Sequence, residues 1–373
     1  MYIKLGGKIL LMTKRIYNFN PGPATLPLPV LIKAQSEFLN FNDTGMSVME
    51  ISHRSKQFEA IIFEAEDRLK KLLQIGDDYR VLFLQGGAST QFSMIPLNIL
   101  TSGKEANFVL TGSFAEKAYK EAAMIGDVHV AATAEDSNYN YIPTIDKYKL
   151  SENPAYLHIT TNNTIFGTQF KEYPNYSDVP VIADMSSDIL SKPIDANKFA
   201  LIYAGAQKNL GPSGVTIVVI HKSLIEASDK SLPTMQRYDI MAKNDSLYNT
   251  PPTFSIYLVN LVLEWIIEQG GLSAMELHNE EKASYIYNAI DTSNDFYKGH
   301  ALPEYRSTMN ITFTLNNKDL EASFISKAAE RGLIGIKGHR SVGGMRASVY
   351  NAMSKEGCRA LADFMIEFQK TNS

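Results

Sequence analysis

Between residues 80 and 220 the chain repeats one theme: a short run of β-branched, aromatic and aliphatic residues, then a polar or helix-patterned stretch. The runs are 80–84, 107–111, 128–132, 155–160, 179–183, 199–204 and 215–220. They are continuously apolar instead of alternating, so both faces of each strand must be covered. Helix-patterned segments between such strands predict crossover connections, hence an α/β fold built on one mainly parallel, seven-stranded sheet. At 373 residues, 45% of them hydrophobic, the chain can bury a large core and is too long for one small domain. An apolar helical run at 254–267, stopped by Gly270-Gly271, is expected to bridge to the second unit. Strand-like 309–315, 333–336 and 345–349, with helical 319–331 and 356–368, predict a smaller α+β domain. The expected division is an N-terminal extension without fixed structure at 1–15, a segment at 16–29 packing with the small domain, a large domain at 30–269 and a small C-terminal domain at 270–373.

Charge and cysteine content remove several classes of function. There are 36 basic and 40 acidic residues, a net charge of −4, and no block of like charges stands out, which argues against nucleic acid or a membrane surface as partner. The single cysteine, Cys358, precludes an internal disulfide and fits a reducing compartment. It falls on the apolar face of the closing helix, where it reads as packing. The apolar run in the first twelve residues is too short for a signal peptide, no run reaches membrane-spanning length, and the expected location is cytoplasmic. No G-x-x-x-x-G-K-[ST], G-x-G-x-x-G after a strand, G-x-S-x-G, H-E-x-x-H or cysteine pair occurs, so nucleotide, hydrolase and zinc readings lose support, and no metal is expected.

What remains is a set of polar turns at strand ends, where open α/β sheets bind ligands. Lys208 follows the apolar run 199–203 and lies among Gly205, Gly211 and Gly214, so little bulk guards its amine. A buried lysine loses charge and becomes a nucleophile toward an aldehyde, whereas a lysine in a surface turn would not. Asp184, after the run 179–183, sets a carboxylate at the same rim; it would serve equally as a helix N-cap. One lysine for an aldehyde and one acid for a protonated ring nitrogen are what pyridoxal phosphate requires. Gln85-Gly-Gly-Ala-Ser-Thr90, between a strand and a helix, offers backbone N–H groups and the hydroxyls of Ser89 and Thr90 to an anion. Thr164 could donate to the ring oxygen and Phe114 could stack on the ring face. The dipeptide His53-Arg54 recurs as His339-Arg340, with Arg346 close behind in a glycine-rich loop. Three guanidinium forks and two imidazoles suit a doubly anionic substrate, although each arginine taken singly would also suit surface ion pairing.

Seven motifs in order, Asn18-Phe-Asn-Pro-Gly-Pro-Ala24, Ser47-Val-Met-Glu-Ile-Ser-His-Arg54, Phe83-Leu-Gln-Gly-Gly-Ala-Ser89, Ala183-Asp-Met-Ser-Ser187, Gly205-Ala-Gln-Lys-Asn209, Asn249-Thr-Pro-Pro-Thr253 and Gly338-His-Arg-Ser-Val-Gly-Gly-Met-Arg346, closely resemble the phosphoserine aminotransferase family. The resemblance runs from about Ile16 to near the C-terminus. It implies a fold-type I pyridoxal-phosphate transferase of the class V aminotransferase group, acting in serine biosynthesis. Lys208 would carry the cofactor aldehyde and shuttle protons, Asp184 would face the ring nitrogen, and Thr164 the ring hydroxyl. Ala88, Ser89 and Gln207 would hold the cofactor phosphate, with Asn249 and Thr250 reaching it from the neighbouring subunit of a homodimer. His53, Arg54, His339, Arg340 and Arg346 would bind the substrate's carboxylate and phosphate, some across the dimer interface. The implied substrates are glutamate, 2-oxoglutarate, phosphoserine and phosphohydroxypyruvate, with 4-phosphohydroxythreonine of pyridoxine biosynthesis as a further candidate. One departure is visible: the stacking position, often tryptophan in the family, is Phe114, whose smaller face should weaken stacking without changing chemistry.

Competing readings are an alanine-glyoxylate type transaminase, which would not need so many anion-binding groups, a cysteine desulfurase, which needs a reactive loop cysteine, and a non-catalytic small-molecule binding module.

Overall fold

The computed structural model describes residues 15–372 and the strands Tyr2–Leu5 and Lys8–Leu11. Its centre is a seven-stranded sheet formed by β1 (Tyr79–Leu84), β2 (Glu105–Leu110), β3 (Val128–Thr133), β4 (Pro154–Thr160), β5 (Val181–Asp184), β6 (Leu201–Gly205) and β7 (Thr216–His221). The spatial order is β1-β7-β6-β5-β4-β2-β3. Only β7 runs against its neighbours, pairing antiparallel with β1 and β6. All seven expected strands are present with ends moved by a few residues, because hydrogen bonds, not hydropathy, set where a strand stops.

The continuous apolar runs have a direct cause. Along β1, Val81 and Phe83 enter one core while Leu82 and Leu84 enter another on the opposite face. The first core is closed by α1 (Lys56–Leu73) and α4 (Thr253–Glu268), the second by α2 (Gly87–Ile99) and α3 (Ser113–Ala123). α1 shows why these segments are helical. Ser55 caps it by accepting from Phe58 N–H, Phe58, Ile61, Ile62, Ala65 and Leu69 recur on its buried face, and Gln74 ends it in the left-handed region.

A second core surrounds a three-stranded antiparallel sheet of β8 (Tyr297–Gly299), β9 (Asn310–Leu315) and β10 (Met345–Ser348). It is covered by α5 (Gly271–Asp291), α6 (Glu321–Glu330) and α7 (Lys355–Asn372), with Phe313, Phe324, Phe364 and Phe368 in mutual edge and tilted contact. The chain's N-terminal segment joins this core: Tyr17–Asn18 pairs in parallel with Leu333–Ile334, and Phe19 is fully buried there.

Two expectations change. The helix expected to bridge the units, α4, buries its apolar residues wholly in the sheet core, while α5 spans both cores, with Leu272 and Met275 in one and Ala283 and Ile286 in the other. Uniform hydrophobicity marks a helix buried all round, not one that crosses between bodies. Within the expected unstructured extension at 1–15, Tyr2–Leu5 and Lys8–Leu11 pair as an antiparallel hairpin. Two β-rich runs separated by the sequence Gly6-Gly7 have the spacing of a tight hairpin.

Candidate active site

Because β7 alone is reversed, the C-terminal ends of β1, β2, β4, β5 and β6 share one edge of the sheet, and each ends in a segment singled out from sequence. Lys208 follows β6, and its Nζ donates to Thr164 Oγ1 at 2.7 Å and stands 5.3 Å from the Phe114 ring centroid. The side chain as a whole is half-buried, but the amine is enclosed, and burial lowers its pKa to about 8. Asp184 opposes that shift while Arg346 adds to it. Gly22, at φ +142, packs against Lys208 from the N-terminal segment: a Cβ there would touch the lysine's Cγ at 3.4 Å.

Asp184 ends β5 in register with Thr160 of β4 and Tyr203 of β6. Burial pushes its carboxyl above the ordinary range, and the Ser186 hydroxyl and N–H, Lys208 and Tyr203 pull it back. The Ser186 N–H donates to Oδ1 at 2.9 Å. Asp184 therefore acts as an acceptor in a dry site, not as a solvated helix cap.

The cradle after β1 is set by two glycines, Gly86 at φ +91 and Gly87 at φ +70, which turn the chain into α2. A Cβ on Gly86 would lie 2.2 Å from Thr90 Oγ1. The first N–H groups of α2, those of Ala88 and Ser89 among them, have no intrahelical acceptor and suit an anion. Thr90 is not part of the cradle, since its hydroxyl turns back to donate to the Gly86 carbonyl at 2.7 Å. Gln207 folds over Gly205, where a Cβ would meet its Oε1 at 2.6 Å, and its carbonyl accepts from Ala24 N–H.

Arg346, on β10, reaches the rim from the small core. It is 6% exposed, Nη1 is 3.5 Å from the Thr164 carbonyl, and Nε has no partner among the described residues. No carboxylate forms a salt bridge with it among the described residues. His339 is held below the usual imidazole range by burial and by Arg346, Arg340 and Lys117, so this mouth of the site is a concentration of positive charge. A buried guanidinium without a protein counter-ion is costly unless a ligand anion supplies one.

A family model described as aminotransferase class-V matches residues 16–361. Phosphoserine aminotransferase of Geobacillus kaustophilus (strain HTA426) is 59% identical over 357 residues, covering 96% of this chain and 99% of that protein. Among solved structures, phosphoserine aminotransferase from Bacillus circulans subsp. alkalophilus superposes with a TM-score of 0.96 at 56% identity, covering 97% of this chain and 100% of that one. This chain belongs to the phosphoserine aminotransferase family. A further relative, PLP-bound phosphoserine aminotransferase from Trichomonas vaginalis, superposes with a TM-score of 0.89 at 40% identity over 94% of this chain and 99% of that one.

Not every group expected of a phosphoserine aminotransferase gathers around Lys208 within one chain. His53 and Arg54 lie in the turn before α1. Arg54 is exposed, His53 Nε2 is enclosed without a partner, and no hydrogen bond links either to Lys208, Asp184 or Arg346 among the described residues. Arg340 is exposed in the loop before β10, and His339 Nδ1 is 2.7 Å from Ser341 Oγ. Asn249 donates to Gln85 Oε1 of its own chain at 3.1 Å, its Oδ1 is enclosed without a partner among the described residues, and Thr250 beside it is exposed. Sequence reasoning missed Lys117, whose Nζ is 5.2 Å from the Phe114 ring; it is one helical turn beyond Phe114, a spacing that could have revealed it. It also missed Tyr203 and His158, which look like ordinary strand residues until the register places them behind Asp184.

Proposed function

We infer that the chain catalyses reversible transfer of an amino group between L-glutamate and 3-phosphohydroxypyruvate, giving O-phospho-L-serine and 2-oxoglutarate, with pyridoxal 5′-phosphate as cofactor. The observation that carries this reading is the arrangement at the rim: an amine with pKa about 8, a buried carboxylate, and a buried arginine with no counter-ion among the described residues. The residues present fit the cofactor. Gly86 and Gly87 open a cradle that a Cβ would fill, Lys208 is free enough of charge to hold an aldehyde, and Asp184 is an acceptor for a ring N–H.

When bound, pyridoxal phosphate supplies an aldehyde that takes up the amino group and a ring that absorbs the electron pair left at the substrate α-carbon. Ala88, Ser89 and Gln207 would hold its phosphate, Thr164 its ring hydroxyl, and Phe114 would contact the ring. Lys208 Nζ moves the proton on and off the α-carbon, its depressed pKa letting it act as base and acid near neutral pH. Asp184 keeps the ring nitrogen protonated. Arg346, with His339, Arg340, His53 and Arg54, binds the two anionic ends of the substrate and so fixes the α-hydrogen toward Lys208.

A homodimer completes the site in this reading, with Asn249 and Thr250 serving the partner's phosphate. Exposed Phe38, Leu39, Met46, Met49 and Tyr248 offer apolar surface for a partner subunit to cover. The single, buried cysteine fits a cytoplasmic enzyme. No helix among the described residues is long and apolar enough to cross a membrane. The desulfurase alternative lacks its nucleophile, because Cys358 is buried in α7 and burial pushes its thiol up to about 12.

The test is a coupled assay with phosphoserine, serine and alanine as amino donors. Phosphoserine should be preferred by about 10³-fold or more in kcat/KM, because the other donors lack the second anion that the cationic mouth of the site is built to pair. Equal rates for the three would overturn the substrate assignment.

A further inference from the structure

Behind Asp184 stands a hydrogen-bond chain that the groups above do not account for. His158 is on β4, two residues before Thr160, and Thr160 pairs with Asp184 at the end of β5; Asp184 in turn pairs with Tyr203 on β6. The two-residue period of the strands puts all three side chains on the sheet face that carries α2 and α3. His158 is 3% exposed and Tyr203 fully buried. His158 Nε2 lies 2.9 Å from the Tyr203 hydroxyl, and Tyr203 is the cross-strand partner of Asp184 on the same sheet face. Phe108 packs on the imidazole at 5.1 Å between centroids, and Phe92 meets the phenol edge-on at 6.3 Å.

The direction of the chain follows from one unpartnered atom. His158 Nδ1 has no hydrogen-bond partner among the described residues. A buried N–H without an acceptor is costlier than a bare ring nitrogen, so the proton is on Nε2. Nε2–H must then donate to the Tyr203 oxygen, which leaves the single phenolic proton for Asp184. Burial agrees with this assignment: it lowers the imidazole to about 3, keeping it neutral, and raises the phenol well above its ordinary value, keeping it protonated.

We propose that Tyr203 and His158 are positioning residues for the transamination, a one-way donor chain that holds Asp184 as an ionised acceptor aimed at the ring nitrogen of the cofactor. The proposal rests on the cofactor reading above. A packing role would need only the two rings; a donor role needs the hydroxyl and the N–H.

Tyr203→Phe removes the hydroxyl and keeps the ring, His158→Leu removes the donor, and His158→Gln keeps an N–H close to the position of Nε2. For each apo-protein the dissociation constant of pyridoxal phosphate, the visible band of the bound cofactor, the melting temperature, and kcat and KM for phosphoserine are measured. Tyr203→Phe should weaken cofactor binding about tenfold or more, shift the band and lower kcat, with KM for phosphoserine within about twofold of wild type. His158→Leu should move the same quantities in the same direction by less, and His158→Gln should recover most of the loss. Unchanged cofactor affinity and band in Tyr203→Phe overturn the proposal, as does a His158→Gln variant as impaired as His158→Leu with a matching fall in apo melting temperature. A wild-type protein that fails to bind pyridoxal phosphate sinks the cofactor reading and this one together. Normal wild-type turnover with indifferent variants sinks only the donor chain.

Discussion

Replacing Arg346 by methionine should make the ligand-free protein more stable and the enzyme much worse. The guanidinium is 6% exposed, its Nη1 contact with the Thr164 carbonyl is at the 3.5 Å limit of a hydrogen bond, and its Nε is unpartnered. Burial lowers its pKa, so the protein surroundings of the guanidinium disfavour its charge. An unsatisfied buried donor costs about 1–3 kcal/mol, and methionine keeps much of the apolar stem without it. Unfolding entropy near 2.1 cal/mol/K per residue over 373 residues is about 0.8 kcal/mol/K, so the apo melting temperature should rise by about 1–4 °C. Removing the cation from a buried pair with substrate costs about 2–5 kcal/mol, a fall in kcat/KM for phosphoserine of roughly 30- to 5,000-fold. Saturating phosphoserine stabilises only the protein that binds it, so the order of melting temperatures should reverse when ligand is added. Differential scanning fluorimetry with and without phosphoserine, beside steady-state kinetics, reads all three effects. A ligand-free Arg346→Met protein that melts below wild type and retains wild-type kcat/KM would refute the argument.

Lys208→Ala should abolish turnover while near-ultraviolet circular dichroism stays that of the wild type; retained activity would remove the central assignment. The folded pKa of Lys208 is depressed from 10.5 to about 8, so the unfolded chain holds more protons between these values and the stability of the apo-protein should rise with pH from about 8 to 10.5. Lys208→Met should flatten that rise, and equal slopes in denaturant titrations of the two proteins would contradict it. Gly86→Ala places a side chain at φ +91 against Thr90 and should weaken cofactor affinity about tenfold or more, read by equilibrium titration of the apo-protein. Cys358 should resist thiol reagents in the native protein and react on unfolding, with Cys358→Ala fully active; rapid native labelling accompanied by inactivation would reopen thiol chemistry.

The sheet was legible because its strands are apolar on both faces, a signal that depends only on local composition. Lys208, Asp184 and the glycine cradle were legible because each follows such a strand, and the ends of the parallel strands must meet at one edge. α4 misled because its hydrophobicity reports burial but not the body it is buried in. Lys117, Tyr203 and His158 were hidden because their roles depend on which strands are neighbours.

By itself, the sequence determined the α/β class, the mainly parallel sheet, the strand-end turns and the residue types able to hold an aldehyde, a ring nitrogen and anions. Strand order and register were decided only in three dimensions, since β2 lies beside β4 and β3, and β7 between β1 and β6, through pairings that no local pattern encodes. That order brings Asp184 against Tyr203, and the packing of the second core on the first encloses Arg346 with no counter-ion among the described residues. Charge in a dry site takes its meaning from neighbours distant in the chain: the same lysine would be a solvated cation on a surface turn, and here it is an amine with pKa about 8.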